Sequence, residues 1–524
     1  MNRVILLPCD TRPPTLDLPH QLAKVAGLEM TSPPLDILNK LNKPGNVSAI
    51  ADWFRREAAY ADAAIVTLET LTLGGMIPAR RITDGLDKAL GRLEVIREVK
   101  AQNPDLRILA HGVIVRVGHD NDPLEEKPYF GIWGNHLRRV SELMDKVERG
   151  LATENELDRN SVIIPRDVLT DWLDTRRRNH AIHAAAVEML ADGTLDHLCL
   201  TLDDTTPYGL AALDRRRLEA KLDDQGLWTE ADIYPGADEV AATLLARALV
   251  NSIGRKPKVF VRYPSSGAEQ ALMLYEDRPL GELVKAHLRA AGAVPAYTPE
   301  EADLILAVNA PAVRQAHRQP DLEQVESSGR NLPEFLDRLV GDVAAARLVA
   351  VADVAYANGA DHRFIKLLLA GLNPTTFAGY AAWNTAGNTI GSAIASGICA
   401  LYNRDPVALA EANYARLLDD WLYQSVVRSQ VQSKLSADLG QPVSPYDIGD
   451  LQWGAELEIN RRIEPLARDL FERHFAPNLP GVELEWNRPR LAWPRLFTGV
   501  FPCRFISPAL ITMPFGEESA IGDE

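Results

Sequence analysis

The 524-residue chain is 46 % hydrophobic and 24 % charged, an ordinary soluble globular composition with enough apolar material for several domains or for one large α/β barrel with attachments. Its formal charge of −16, from 56 basic against 72 acidic residues, argues against nucleic acid or an anionic membrane as partner and leaves small neutral or cationic ligands. Four cysteines, Cys9, Cys199, Cys399 and Cys503, stand singly with no CxxC pair, which fits reduced thiols in a cytoplasmic protein and speaks against a structural zinc site.

Residues 4–8 read as a continuous apolar strand, followed at its carboxyl end by Asp10, Thr11 and Arg12. Pro8 and Asp10 cut the apolar run short and no small-residue cleavage signature follows, so this is a first strand and not a secretion signal. A helix over 50–60 leads to a second strand at 63–68, then Glu69 and the turn Gly74-Gly75. Leu90, Leu93, Ile96 and Val99 lie at helical spacing within 86–102, and a third strand at 107–115 ends on Arg116. The interval from 118 to about 190 is long, aromatic and mostly helical, with Tyr129, Phe130, Trp133 and His136 near its start. An insertion placed directly after a strand is expected to wall a pocket.

The fourth strand, beginning at Leu198, ends in the adjacent carboxylates Asp203 and Asp204, followed by Pro207, Tyr208 and Gly209. Alternation along a strand or its extension would send the two carboxylates to different sub-sites; the plain alternative is a turn or helix cap. A helix at 237–253 carries Asp238 and Glu239 in its first turn, where acidic residues suit the helix dipole. Further strands are expected at 258–263, ending on Tyr263, at 303–308 before Asn309, at 347–352 before Asp353, and at 377–382 before Trp383 and Asn384. Helices at 280–291, 332–345 and 361–369 separate them. The alternation predicts a (β/α)₈ barrel over residues 1–400, with a doubly wound open sheet as competitor. Residues 401–524, helical at 405–434 and 459–474 and strand-like within 482–511, read as an α+β extension packed on the barrel. No stretch reaches the apolar length of a membrane span.

The chemistry is expected at the strand ends, because parallel α/β folds present their working residues there. Asp10, Arg12, Glu69, Arg116, Asp203, Asp204, Tyr263, Asn309, Asp353, Asn358, Trp383, Asn384 and Asn388 form a set of carboxylates, amides and an indole suited to a sugar, whose hydroxyls they bind and whose ring an aromatic face covers. A catalytic metal centre would want close histidines, yet the 11 histidines show no HxH or HExxH, so a metal-dependent hydrolase would have to use carboxylates such as Asp10, Asp203, Asp204 or Asp353. No GxSxG elbow surrounds Ser265-Ser266-Gly267, and no glycine-rich phosphate loop is present. No metal or cofactor is called for.

The stretches LPCDTRPP, LETLTLGGMIPARR, LDDTTPYG, YPGADEV, YEDRPL, VADVAYANGAD and AAWNTAGNTIG resemble the landmarks of a bacterial family catalogued as a domain of unknown function. Locally, Asp203-Asp204 after an apolar strand, with Trp383-Asn384 later, is similar to retaining N-acetylhexosaminidases of the O-GlcNAcase type. That resemblance implies a barrel and substrate-assisted hydrolysis, an exception to the two-carboxylate scheme. In it Asp203 would orient the 2-acetamido group for attack on the anomeric carbon, and Asp204 would be the acid and then the base. Tyr208 or Tyr263 would donate to the acetamido oxygen, Asn384 and Asn388 would bind hydroxyls, and Trp383 would wall the acetamide pocket. The expectation is therefore a cytoplasmic glycoside hydrolase with a small carbohydrate substrate. The alternatives are a metal-dependent hydrolase with a carboxylate site or a non-catalytic sugar-binding barrel. Self-association is left open.

Overall fold

The computed structural model describes residues 1–119, 121–316 and 329–507. Eleven strands form two parallel sheets. The first contains β1 (Arg3–Leu7), β2 (Glu29–Thr31), β3 (Ala63–Thr67), β4 (Arg107–Ile114), β5 (His197–Leu202) and β6 (Ala231–Pro235) in the order β2-β1-β3-β4-β5-β6. The second contains β7 (Lys258–Arg262), β8 (Val294–Pro295), β9 (Leu304–Asn309), β10 (Val349–Asp353) and β11 (Gly379–Ala381) in the order β11-β10-β9-β7-β8. No sheet closes among the described residues, and hydrogen bonding divides the eight expected strands evenly, β1, β3, β4 and β5 in one sheet and β7, β9, β10 and β11 in the other. The three strands that the pattern did not announce, β2, β6 and β8, all lie at sheet edges. Their sequences, EMT, ADIYP and VP, are too short or too interrupted by charge and proline to show a strand period.

Two helices, Val240–Ile253 and Ala386–Tyr402, pack on each other, the first against β3 and β4 and the second against β9, β10 and β11. One apolar core therefore runs from Val4, Leu6 and Ile65 through Leu244 and Ile394 to Leu306 and Ala352. The helix Ala386–Tyr402 is buried from Ala386 to Ala400, as its all-round apolar sequence requires. Its glycines let it approach: a Cβ on Gly397 would stand 2.5 Å from Leu304 Cδ2, and one on Gly391 would stand 2.3 Å from Glu239 Cγ.

The insertion forms the helices Phe130–Glu148, Glu154–Ser161 and Arg166–Ala191. After Tyr402 the chain continues as Pro406–Arg416, a π-helical stretch Leu417–Val427, Arg428–Leu439 and Gln452–His474, which build a second core with Ile305, Val351 and Tyr380 of the second sheet. Two small antiparallel pairs follow, Glu483–Trp486 with Cys503–Ile506 and Arg490–Leu491 with Gly499–Val500. The strand-like stretch expected to run to 511 extends past the described residues from 508 onward. No helix among the described residues is long and apolar enough to cross a membrane.

Candidate functional site

All strands within each sheet run parallel, and the segments that follow their carboxyl ends meet around a cavity of about 700 Å³. Crevices at this edge are where parallel α/β sheets bind ligands. The first sheet contributes Arg12, Arg116, Asp203, Asp204 and Asp238; the second contributes Tyr275, Asn358 and Asn384; the insertion contributes His119 and 121–125; the C-terminal hairpin contributes Trp493, Arg495 and Phe497.

Asp203 and Asp204 follow the last residue of β5. Asp204 has a left-handed backbone, φ 48°, so strand alternation stops here, and both carboxylates reach Arg116 Nη1, at 3.5 Å from Asp203 and 2.6 Å from Asp204. Asp203 is also held at 2.8 Å by Arg80 Nη2, whose side chain is 2 % exposed. Burial, and next the adjacent Asp203 charge, push the Asp204 carboxyl up to about 7 against the pull of Arg116. The pair is thus unequal: Asp203 takes a second arginine, and Asp204 is a carboxyl that keeps its proton through the acidic range, a difference of surroundings that acid–base chemistry uses. Glu125 shows the opposite outcome. Burial raises it, but Arg116, Arg495 and Arg80 outweigh burial and bring it down to about 2.

Among the described residues, four of the six left-handed non-glycine positions, Asp204, Tyr275 (φ 69°), Asn358 (φ 63°) and Asn384 (φ 58°), line this cavity. Asn358 N–H donates to the Asn384 carbonyl at 2.9 Å, which ties the loops after β10 and β11 together. Strained backbone concentrated at one cavity marks a built site.

The other expected residues divide into those that support this cavity and those that lie elsewhere. Asp10 is 1 % exposed and does not reach the cavity; it accepts from Arg12 Nη2 at 2.6 Å, and Arg12 bridges to Asp238 at 2.6 Å. Trp383 is buried behind the wall, where its indole N–H donates to Asp238 at 3.3 Å and its ring stacks near Phe497. Asn388 accepts from the Asp238 backbone N–H at 3.1 Å. Trp383 and Asn388, both expected to touch substrate, therefore converge on Asp238 instead, and Asp10 is tied to it only through Arg12. Glu69 lies in the core beneath, accepting from Val113 N–H at 3.0 Å and sitting 2.8 Å from His183 Nε2. Tyr208 packs under the Lys146 and Arg149 cations beside a separate depression, and Tyr263 packs against the apolar core. Asn309 and Asp353 form a sealed cluster with Arg330 and Asp361.

The expected meeting of Asp10, Glu69, Asp203, Asp353 and Asn384 at one mouth thus holds for Asp203 and Asn384, because the other three carboxylates are consumed by bonds one layer deeper. The segment after β4 does border the cavity, at His119 and 121–125, while Tyr129 turns away to Asp171. Sequence reasoning missed Arg80, Glu125, Asp238, Tyr275, Trp493 and Arg495. Asp238 was legible only as a helix-dipole charge, and the tryptophan-rich hairpin carried no spacing that tied it to the sheets.

This geometry defines a class, a parallel α/β protein with an ion-paired polar pocket at its strand ends. Residues 4–500 match a family model described as "Protein of unknown function (DUF4127)", and the chain belongs to that family. Comparison with curated proteins and with solved structures finds no match.

Proposed function

We propose that the protein is a glycoside hydrolase acting on a 2-acetamido sugar by substrate-assisted, retaining hydrolysis. The observation that carries the reading is the split pair: Asp203 fixed by Arg80, and Asp204 raised to about 7 and facing a 700 Å³ polar cavity. Asp203, held by Arg80, accepts the acetamido N–H and turns the carbonyl oxygen onto the anomeric carbon. Asp204 accepts the Arg116 hydrogen bond through one oxygen and donates its proton to the leaving glycosidic oxygen through the other. It then takes a proton from the water that opens the cyclised intermediate. Asn358 and Asn384 bind ring hydroxyls, and Tyr275, which lines the cavity, takes the part first given to Tyr208 and Tyr263. A cytoplasmic location and a (β/α)₈ barrel belong to this proposal too; closure would need an edge strand of one sheet, β2 or β6, to pair with an edge strand of the other, β8 or β11.

A panel of aryl and alkyl glycosides, assayed with and without a chelator, tests the reading. Turnover confined to acetamido sugars and unaffected by chelation supports it. Turnover abolished by chelation transfers the site to a metal-dependent hydrolase using the same carboxylates, and saturable binding without turnover makes it a sugar-binding protein.

A further inference from the structure

A second cluster of reactive side chains lies at the opposite end of β5 from the aspartates. In the parallel pairing of β5 with β6, Cys199 stands opposite Asp232 and Thr201 opposite Tyr234. Because side chains alternate, His197, Cys199, Asp232 and Tyr234 all project from one face of the sheet. Their exposures are 1 %, 0 %, 3 % and 1 %. His197 Nε2 lies 3.1 Å from Asp232 Oδ2 and 3.6 Å from Cys199 Sγ, and one ligating atom from each of the three residues falls within 4.8 Å of the others. Four ligands held ~2.0–2.3 Å from a tetrahedral ion are ~3.3–3.8 Å apart, so the imidazole–thiol separation already has the required size and the imidazole–carboxylate separation is close to it.

An independent observation points into the same space. The Tyr234 hydroxyl is buried and turned to the Cys199 thiol, a weak hydrogen-bonding partner. A buried phenol oxygen so weakly satisfied is destabilising, and a bound cation would remove that cost. The surroundings also hold the carboxylate in place: Arg289 Nη1 takes Asp232 Oδ1 at 3.2 Å, leaving Oδ2 for an ion. Arg247, 3.6 Å from Oδ2, and the half-exposed Arg289 are otherwise bonded to backbone carbonyls, Arg247 to those of Arg289 and Ala290, Arg289 to that of Ala231. Both cations can thus remain outside an occupied site.

We propose that His197, Cys199 and Asp232, with Tyr234 as fourth ligand, bind one divalent cation of the zinc class, which fastens β5 to β6. The donor set of thiolate, imidazole and carboxylate selects a borderline-soft ion over magnesium or calcium. On binding, the Cys199 thiol releases its proton to solvent, and the thiolate and carboxylate charges balance the ion. With four protein ligands the site is closed and structural. It lies on the strand that delivers Asp203 and Asp204 and on the strand leading to Asp238, and it does not depend on the activity proposed for the cavity.

The test uses full-length protein from zinc- and from cobalt-supplemented cultures. We expect about one metal per chain by elemental analysis and, in the cobalt form, tetrahedral visible bands with a thiolate-to-cobalt charge-transfer band in the near ultraviolet. Cys199→Ala should lose the ion and that band, while Cys399→Ala, at a buried thiol elsewhere in the core, keeps both. Tyr234→Phe, which preserves the ring, should release the metal to a competing chelator more readily by roughly 10–100-fold. Wild-type protein that purifies without metal overturns the proposal whatever the variants do, as does a metal without a thiolate band or a band that survives Cys199→Ala.

Discussion

Asp204 at the end of β5 and Asp353 at the end of β10 are both carboxylates that burial and a neighbouring carboxylate drive upward, to about 7 and about 8. They differ in what surrounds them. Asp204 has a left-handed backbone, an arginine on one side and open cavity on the other. Asp353 is 0 % exposed, and its oxygens are taken by the Asn309 amide at 2.8 Å and the Asp361 backbone N–H at 2.7 Å, with Arg330 neutralising Asp361 at 2.8 Å. A strand-end position and a raised pKa are therefore not enough to single out a carboxylate as a candidate for chemistry; access separates Asp204 from the structural Asp353.

The comparison breaks most visibly at Asp204. Asp204→Ala should lower turnover of alkyl acetamido glycosides by a factor of roughly 10² to 10⁴ and spare aryl glycosides with good leaving groups, whereas Asp203→Ala should impair all acetamido substrates. Steady-state rates on the two substrate types check this, and equal losses in both variants on both substrates would remove the division of roles.

At the sealed cluster the expected damage is to stability. Arg330→Met leaves the Asp353–Asp361 pair without its cation, which should cost about 3–5 kcal/mol in urea unfolding while leaving ligand affinity at the cavity unchanged. A folded variant with altered ligand affinity would show that the two regions are coupled.

The pH dependence sharpens the same contrast. A carboxyl whose folded pKa is raised binds its proton in the native state while the unfolded chain has lost it, so stability falls as pH rises from about 4 to about 8 for Asp353. Asp353→Asn should flatten that decline by up to about one proton in the slope, read from unfolding free energies across pH. At the cavity the readout is kinetic: the alkaline limb of kcat/KM should fall near pH 7, where Asp204 loses its proton, and Asp353→Asn should leave that limb in place.

The smallest effect is expected at Asn384. Glycine accepts its φ of 58° without strain, so Asn384→Gly should change stability by less than about 1 kcal/mol, and any loss of sugar affinity then reports the missing amide. Unchanged affinity by calorimetry would take Asn384 off the list of ligands.

The eight principal strands, most of the helices between them and the polar residues at the strand ends were readable in the chain alone. Apolar runs and helical spacing are local signals that report burial residue by residue. Its landmarks also pointed to the family, and Asp203, Asp204, Arg12, Arg116, Asn358 and Asn384 were all legible from their positions after strands. Tertiary structure alone decided how the strands are shared between two sheets, since that depends on edge pairing and on the helices Val240–Ile253 and Ala386–Tyr402 packing between them. It alone decided that Trp383 and Asn388 bond Asp238 and that Asp10 bonds Arg12 instead of a ligand. It also gathered Arg80, Glu125 and Arg495 around the aspartates, because ion pairs between residues up to 370 positions apart leave no periodic trace in the chain. The group His197, Cys199, Asp232 and Tyr234 is of the same kind: each strand supplies an ordinary i, i+2 pair, and only the register of β5 against β6 brings the four together.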